Sequence, residues 1–175
     1  MTEWQPLSWH VFHTISLNYN PQYKDEYITF FHTFKTIIPC SMCRNHYIDH
    51  VSKDNLNIEH NINNGRIFDW TIDLHNSVNK STNRREWSYD EARNYYNTHN
   101  FNNQVMKQFI FQYVKLNFKK KFLKTEELLK MLKTLPYFHP NEEKRNRLLD
   151  FKNKFDLNRE SIKNWIYAFL VILKS

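Results

Sequence analysis

The sequence predicts an all-α fold. Apolar residues recur every three or four positions along most of the chain. No stretch alternates with the period of two that a half-buried strand needs, and one glycine, Gly65, occurs in 175 residues. The same glycine count, with only five prolines, excludes a glycine-rich dinucleotide fingerprint and a P-loop, which need several glycines at fixed spacing. A nucleotide cofactor must be held by other means.

Residues 4–17 carry Trp9, Phe12, His13 and Ser16 or Leu17 at helical spacing, with Ser8 as an N-cap or first-turn residue. A second helix is predicted over 23–38, its apolar face made by Tyr27, Phe30, Phe31, Phe34, Ile37 and Ile38. Pro39 ends it, because a proline ring cannot continue a helix from behind. The third runs from the cysteines to about Val51, with Cys40 near its cap and Tyr47 and Val51 on the cysteine side. Ser52 to Gly65 is polar and turn-rich and reads as a loop. A fourth helix spans about Arg66 to Asn79, where Phe68, Ile72, His75 and Val78 share one stripe and Trp70 and Leu74 the next. The basic loop NKSTNRRE leads to Ser88, and Glu91 three residues on completes a capping-box pattern. Beyond Asn100, helices are expected at about 103–118, 125–134, 141–155 and 158–174, with Pro136 and Pro140 bracketing a connection. No internal repeat is present.

The length suits one domain, or one domain with an appendage, and the change in composition near Asn100 separates residues 1–100 from a helical extension, 101–175. A net charge of +7 is compatible with an ordinary basic soluble protein and with anionic cofactors or partners. MTEWQPLSWH has no charged start followed by an apolar run, so no signal peptide is expected and synthesis in the cytoplasm is. The apolar run WIYAFLVIL is far shorter than the roughly twenty residues of a membrane span and reads as a buried helix.

Chemistry points to IIPCSMCRNHY, which holds both cysteines, Cys40 and Cys43. Two cysteines make no disulfide scaffold; a lone CxxC suits redox catalysis or metal binding. At a helix start, unpaired backbone N–H groups and the positive end of the helix dipole favour a thiolate. Cys40, Cys43, His46 and His50 are residue types that zinc takes, but along one short helix they project as a ridge and do not surround a tetrahedral ion. A thioredoxin-like site needs βαβ units, which the pattern lacks. The remaining reading is a redox pair facing a cofactor inside a helical bundle.

Three ordered elements extend that reading. WQPLSWHVFH, IIPCSMCRNHY and WTIDLHNSVNKS contain Trp9 to His13, Pro39 to Cys43 and Trp70 to Asn79. Together they resemble the Erv/ALR family of FAD-linked sulfhydryl oxidases, over about residues 4–97, and in particular its short members from large cytoplasmic DNA viruses. The resemblance implies a four-helix bundle with a short fifth helix that holds FAD without a Rossmann motif. It implies Cys40 and Cys43 as the catalytic pair, with Cys43 nearer the flavin. It places Trp9, His13, Tyr47, His75, Asn76, Val78 and Asn79 along the flavin, and Lys80, Arg84, Trp87 and Tyr96 toward the phosphates or adenine. No metal is implied. Electrons would pass from a protein dithiol, or a thioredoxin-like CxxC partner, through Cys40–Cys43 and FAD to O2, giving H2O2. A homodimer is implied, as is a location in the cytoplasm (the host cytoplasm or the virion, if viral), with the mitochondrial intermembrane space as the alternative.

Out of that context the same residues have plainer readings. His13 is a core histidine, HNSVN a polar helix end, Lys80, Arg84 and Arg85 a solvated loop, and Tyr95 and Tyr96 core aromatics. The chain also departs from the family pattern. Gln5 replaces the usual glycine after the first tryptophan, and Thr82 and Asn83 replace a Leu-Gly pair, where asparagine tolerates left-handed backbone. Ile72 and Tyr89 stand where many members carry a further structural disulfide, a loss worth about 2–5 kcal/mol in a small domain. No shuttle cysteine pair is present. The competing function is a non-enzymatic basic helical module for nucleic acid or an acidic partner, suggested by FKKKF at Phe118 to Phe122.

Overall fold

The first two helices meet through aromatic side chains. In the computed structural model, which describes residues 4–117 and 122–175, α1 (Trp4–Leu17) and α2 (Lys24–Ile37) pack Phe12 edge-on against Phe30, Phe31 and Phe34, with ring centroids 4.6 Å apart for Phe12 and Phe34. Edge-to-face contacts of this kind add to the burial of the rings. Asp25 and Glu26 in the first turn of α2 face the positive end of its dipole, and the chain leaves the helix at Ile38–Pro39. α3 (Ser41–Val51) follows at once.

The stretch 52–65 is not an open loop. It contains a 3-10 turn, Asp54–Leu56, and a short helix, α4 (Ile58–Asn63). Asn57 caps α4 by accepting the His60 N–H at 2.8 Å, while Leu56, Ile58 and Ile62 are buried. Its end explains the single glycine. Gly65 has φ +68°, Arg66 N–H bonds to Asn61 C=O at 2.9 Å and Gly65 N–H to Ile62 C=O at 3.1 Å, the pairing of a Schellman C-cap. The fourth predicted helix is therefore the fifth, α5 (Ile67–Ser81), followed by α6 (Tyr89–Thr98), whose Ser88–Glu91 capping box forms as expected.

α7 (Asn103–Asn117) lies along α1, and α8 (Phe122–Thr134) along α2. Phe109 and Tyr113 of α7 join the rings of Phe30 and Phe34, and residues from Trp4 to Leu173 belong to one continuous buried cluster. The extension thus covers faces of the N-terminal helices that would otherwise be exposed. α9 (Glu142–Lys154) and α10 (Ile162–Lys174) pair through Phe151, Trp165 and Phe169. α10 begins four residues later than the spacing predicts, because Asn158 and Ser161 hold a turn by side-chain bonds to main-chain groups. It is buried on one face only: Tyr167 is 73% exposed. No strand occurs among the described residues, and none of their helices is long and apolar enough to cross a membrane. The aromatic–lysine stretch Phe118 to Lys121 lies outside the described residues.

Phe109→Ala removes a fully buried ring shared by the two halves of the chain. The expected loss is about 3–5 kcal/mol, measured by urea denaturation.

Candidate active site

The chain turns from α2 into α3 under a hydrogen bond from Arg44 Nη1 to Ile38 C=O, 2.8 Å long. Cys40 caps α3, its Sγ accepting the Cys43 N–H at 3.2 Å. Cys40 and Cys43 are disulfide-bonded, with Cα atoms 5.2 Å apart. Both are half-buried, and Met42 between them is 65% exposed. Gln5, the departure after the first tryptophan, points its amide Nε2 at Cys43 Sγ from 3.9 Å.

An apolar cavity of about 250 Å³ opens beside the disulfide. Trp9 and Phe12 of α1, Phe34 of α2, Tyr47 of α3 and Val78 of α5 line it, and so does Cys43; Cys40 does not. Tyr47 is anchored by its hydroxyl donating to Phe31 C=O at 2.8 Å, and burial pushes its phenol well above the usual range. Tyr113 closes the wall from α7. Its hydroxyl donates to Ser8 Oγ at 2.9 Å, since the Ser8 hydroxyl proton goes to Trp4 C=O.

Behind Trp9 lies a stack of rings. Trp9 and His75 are face to face, 4.1 Å between centroids and 5° from parallel, leaving no gap for a third ring. His13 is fully buried and reaches His75 Nδ1 with Nε2 and Thr71 Oγ1 with Nδ1, both at 2.9 Å. Tyr96 leans over His13 at 4.8 Å, its phenol also raised by burial. Burial, then the neighbouring His75 and His10, hold His13 well below the usual imidazole range; burial and then Arg84 bring His75 to about 4.

Asn76 and Asn79 turn their amides to the loop after α5. Asn76 makes two bonds to the Trp87 main chain, at 2.8 and 2.9 Å, and Asn79 donates to Arg85 C=O at 3.0 Å. The loop leaves α5 through a second Schellman C-cap: Asn83 takes φ +53°, and Arg84 N–H bonds to Asn79 C=O at 2.8 Å. The turn that glycine usually makes survives with asparagine. Trp87 is half-buried beside Ile72 and Tyr96, whereas Lys80 and Arg84 are exposed. Lys80 lies in a separate groove with Arg66, Asp73 and Glu86, so the structure does not bring it to the apolar cavity.

Ile72 and Tyr89 link α5 to α6 without sulfur. Ile72 packs with Phe68, Ala92 and Tyr96, and the Tyr89 hydroxyl donates to Asp73 at 2.6 Å. Arg93 pairs with Asp69 at 2.5 Å and lies over the Phe68 ring. Sequence reasoning missed Thr71, Tyr113 and the orientation of Gln5. Thr71 stands in the Trp70–Asn79 element but at a position its pattern leaves open, and Tyr113 is one aromatic among several on α7. No three or more His, Cys, Asp or Glu side chains converge to hold a metal among the described residues.

A model of the Erv1 / Alr family matches residues 6–120. A probable FAD-linked sulfhydryl oxidase of Acanthamoeba polyphaga mimivirus is 36% identical over 94 residues, 51% of this chain and 66% of that protein. The matched region is thus slightly under two thirds of that relative's length. An FAD-linked sulfhydryl oxidase of African swine fever virus, isolate Pig/Kenya/KEN-50/1950, is 33% identical over 101 residues, 55% of this chain and 82% of that protein. No solved structure matches significantly.

His13 and His75 are neutral when folded and titrate near 6.5 when unfolded, so the unfolded chain binds more protons in acid. Stability is expected to fall as pH drops from 6.5 toward 4, by up to about 1.4 kcal/mol per pH unit for each histidine. Melting temperature measured across this window should decline, and His75→Gln should make the decline shallower.

Proposed function

The chain belongs to the Erv1/Alr family, and from that premise we propose that it is an FAD-linked sulfhydryl oxidase, forming disulfides in protein dithiols with O2 as final acceptor and H2O2 as product. The observation that carries this reading is the Cys40–Cys43 disulfide with Cys43, and not Cys40, in the wall of an aromatic cavity.

The residues present fit a flavin. Flat apolar walls from Trp9, Phe12 and Tyr47 suit a ring system, and a volume of about 250 Å³ suits one such ring, not a whole dinucleotide. In this proposal Trp9, Tyr47 and Val78 contact the flavin ring. His13 and Tyr96 back them, His75 stacks on Trp9 and turns an edge toward the cofactor, and Asn76 and Asn79 hold the Trp87 loop in place. Arg84, whose charge already reaches His75, offers a cation for the pyrophosphate. The same role for Lys80 rests on the family resemblance alone. Bound FAD would supply the two-electron link between the Cys40–Cys43 pair and O2.

The chain's own residues carry the thiol chemistry. A substrate thiolate attacks Cys40 Sγ; its new S–S bond forms as the Cys40–Cys43 bond breaks, and the electron pair leaves on Cys43, beside the cavity and the Gln5 amide. The substrate's second thiolate then attacks the substrate sulfur of the mixed disulfide, and Cys40 departs as thiolate. That thiolate is favoured because Cys40 Sγ already accepts an N–H at the start of α3. Two electrons thereby pass from the substrate to the pair, and the two protons of the substrate thiols go to solvent as the thiols ionise.

The donor is a dithiol protein or a thioredoxin-like partner with a CxxC pair, and the oxidase works as a homodimer. The viral relatives favour the cytoplasm over the mitochondrial intermembrane space. Residues 1–100 carry the disulfide and cofactor side chains, and 101–175 form the helical extension that covers α1 and α2.

The purified protein should be yellow, bleach with dithiothreitol, and recover in air with oxygen consumption. Cys43→Ser should remain yellow and lose turnover. A folded, colourless protein that FAD cannot reconstitute would leave the basic binding module instead.

A further inference from the structure

The hydrogen bonds around His13 have a direction. Thr71 has one hydroxyl proton, and its oxygen lies 2.7 Å from Phe68 C=O, which can only accept. Toward His13 Nδ1, at 2.9 Å, the same oxygen must then accept, so Nδ1 carries the proton. His13 has no solvent access and is held neutral by burial, which leaves Nε2 as an acceptor. The next contact, 2.9 Å to His75 Nδ1, therefore requires the proton on His75 Nδ1. His75 Nε2 is left with a lone pair, and no described residue donates to it.

We propose that Thr71 is a positioning residue which, through His13, locks His75 in the Nδ1–H tautomer so that its Nε2 accepts a hydrogen bond from an N–H or O–H group of bound FAD. This rests on the oxidase reading above and adds to it the residue that sets the polarity of the site. It also assigns a chemistry to the contact. A neutral acceptor favours a ring imide, an amino group or a sugar hydroxyl, and disfavours phosphate, which an imidazolium would attract. The opposite polarity is equally definite: if the Thr71 proton went to His13 Nδ1, both rings would carry their proton on Nε2, and His75 would present a donor.

Long-range proton–nitrogen NMR on histidine-labelled holoprotein distinguishes the two. The expected spectrum has His13 and His75 protonated at Nδ1. Thr71→Val, which keeps the shape and removes the acceptor, should abolish that tautomer preference and weaken FAD binding about tenfold, as expected for one hydrogen bond. Thr71→Ser should restore both. Wild-type His75 protonated at Nε2 overturns the proposal, and that spectrum decides even if Thr71→Val does not fold. So does a folded Thr71→Val protein with unchanged tautomers and FAD affinity. The spectrum is also recorded without FAD, so wild-type protein that binds no FAD overturns the oxidase reading as well and is told apart from a wrong tautomer.

Discussion

A histidine with no access to water needs partners for both ring nitrogens, because a buried polar atom left unpaired costs about 1–3 kcal/mol. His13 finds them on one neighbouring helix, Thr71 and His75 of α5, one turn apart. That requirement fixes the rotation of α1 against α5 more tightly than apolar packing does, since rings can slide and hydrogen bonds at 2.9 Å cannot. With α1 and α5 set, Trp9 falls on His75, and Val78 lines the cavity together with Tyr47 and Cys43. Two of the helices that wall the cavity are thus set against each other by a polar contact buried behind it.

Periodicity made the helices that bury one strong stripe legible, α1, α2 and α5 among them, and the capping residues placed α6. It failed over 52–65, where Asn-rich composition signals a turn. The apolar triplet Leu56, Ile58 and Ile62 and the Asn57 cap were present, but a helix of six residues offers too few repeats for a period. At the site, the family resemblance placed Trp9, Tyr47, Val78 and Cys43 along one cofactor, and all four line one cavity. Asn76 and Asn79 were legible as important but not in direction, because a sequence does not say whether an amide on a helix end faces a ligand or the returning chain. Lys80 illustrates the same limit: one residue after Asn79, it projects about 100° further around the helix, into another groove.

The helices after Asn100 are woven into the N-terminal helices. Phe109 meets Phe30 and Phe34, Asn117 donates to Ile37 C=O at the end of α2, and Tyr113 reaches Ser8 and the cavity. A helix whose inner face is used this fully against α1 is a wall of the bundle, and the cavity's shape depends on it.

The α5–α6 junction has one more consequence. It is held by Ile72, the Tyr89–Asp73 bond and the Arg93–Asp69 pair, and both of the chain's cysteines sit in the Cys40–Cys43 disulfide. A catalyst of disulfide formation braced by disulfides would have to be oxidised before it could oxidise anything else. Here the junction assembles as soon as the backbone and side chains meet, in reducing surroundings as readily as in oxidising ones.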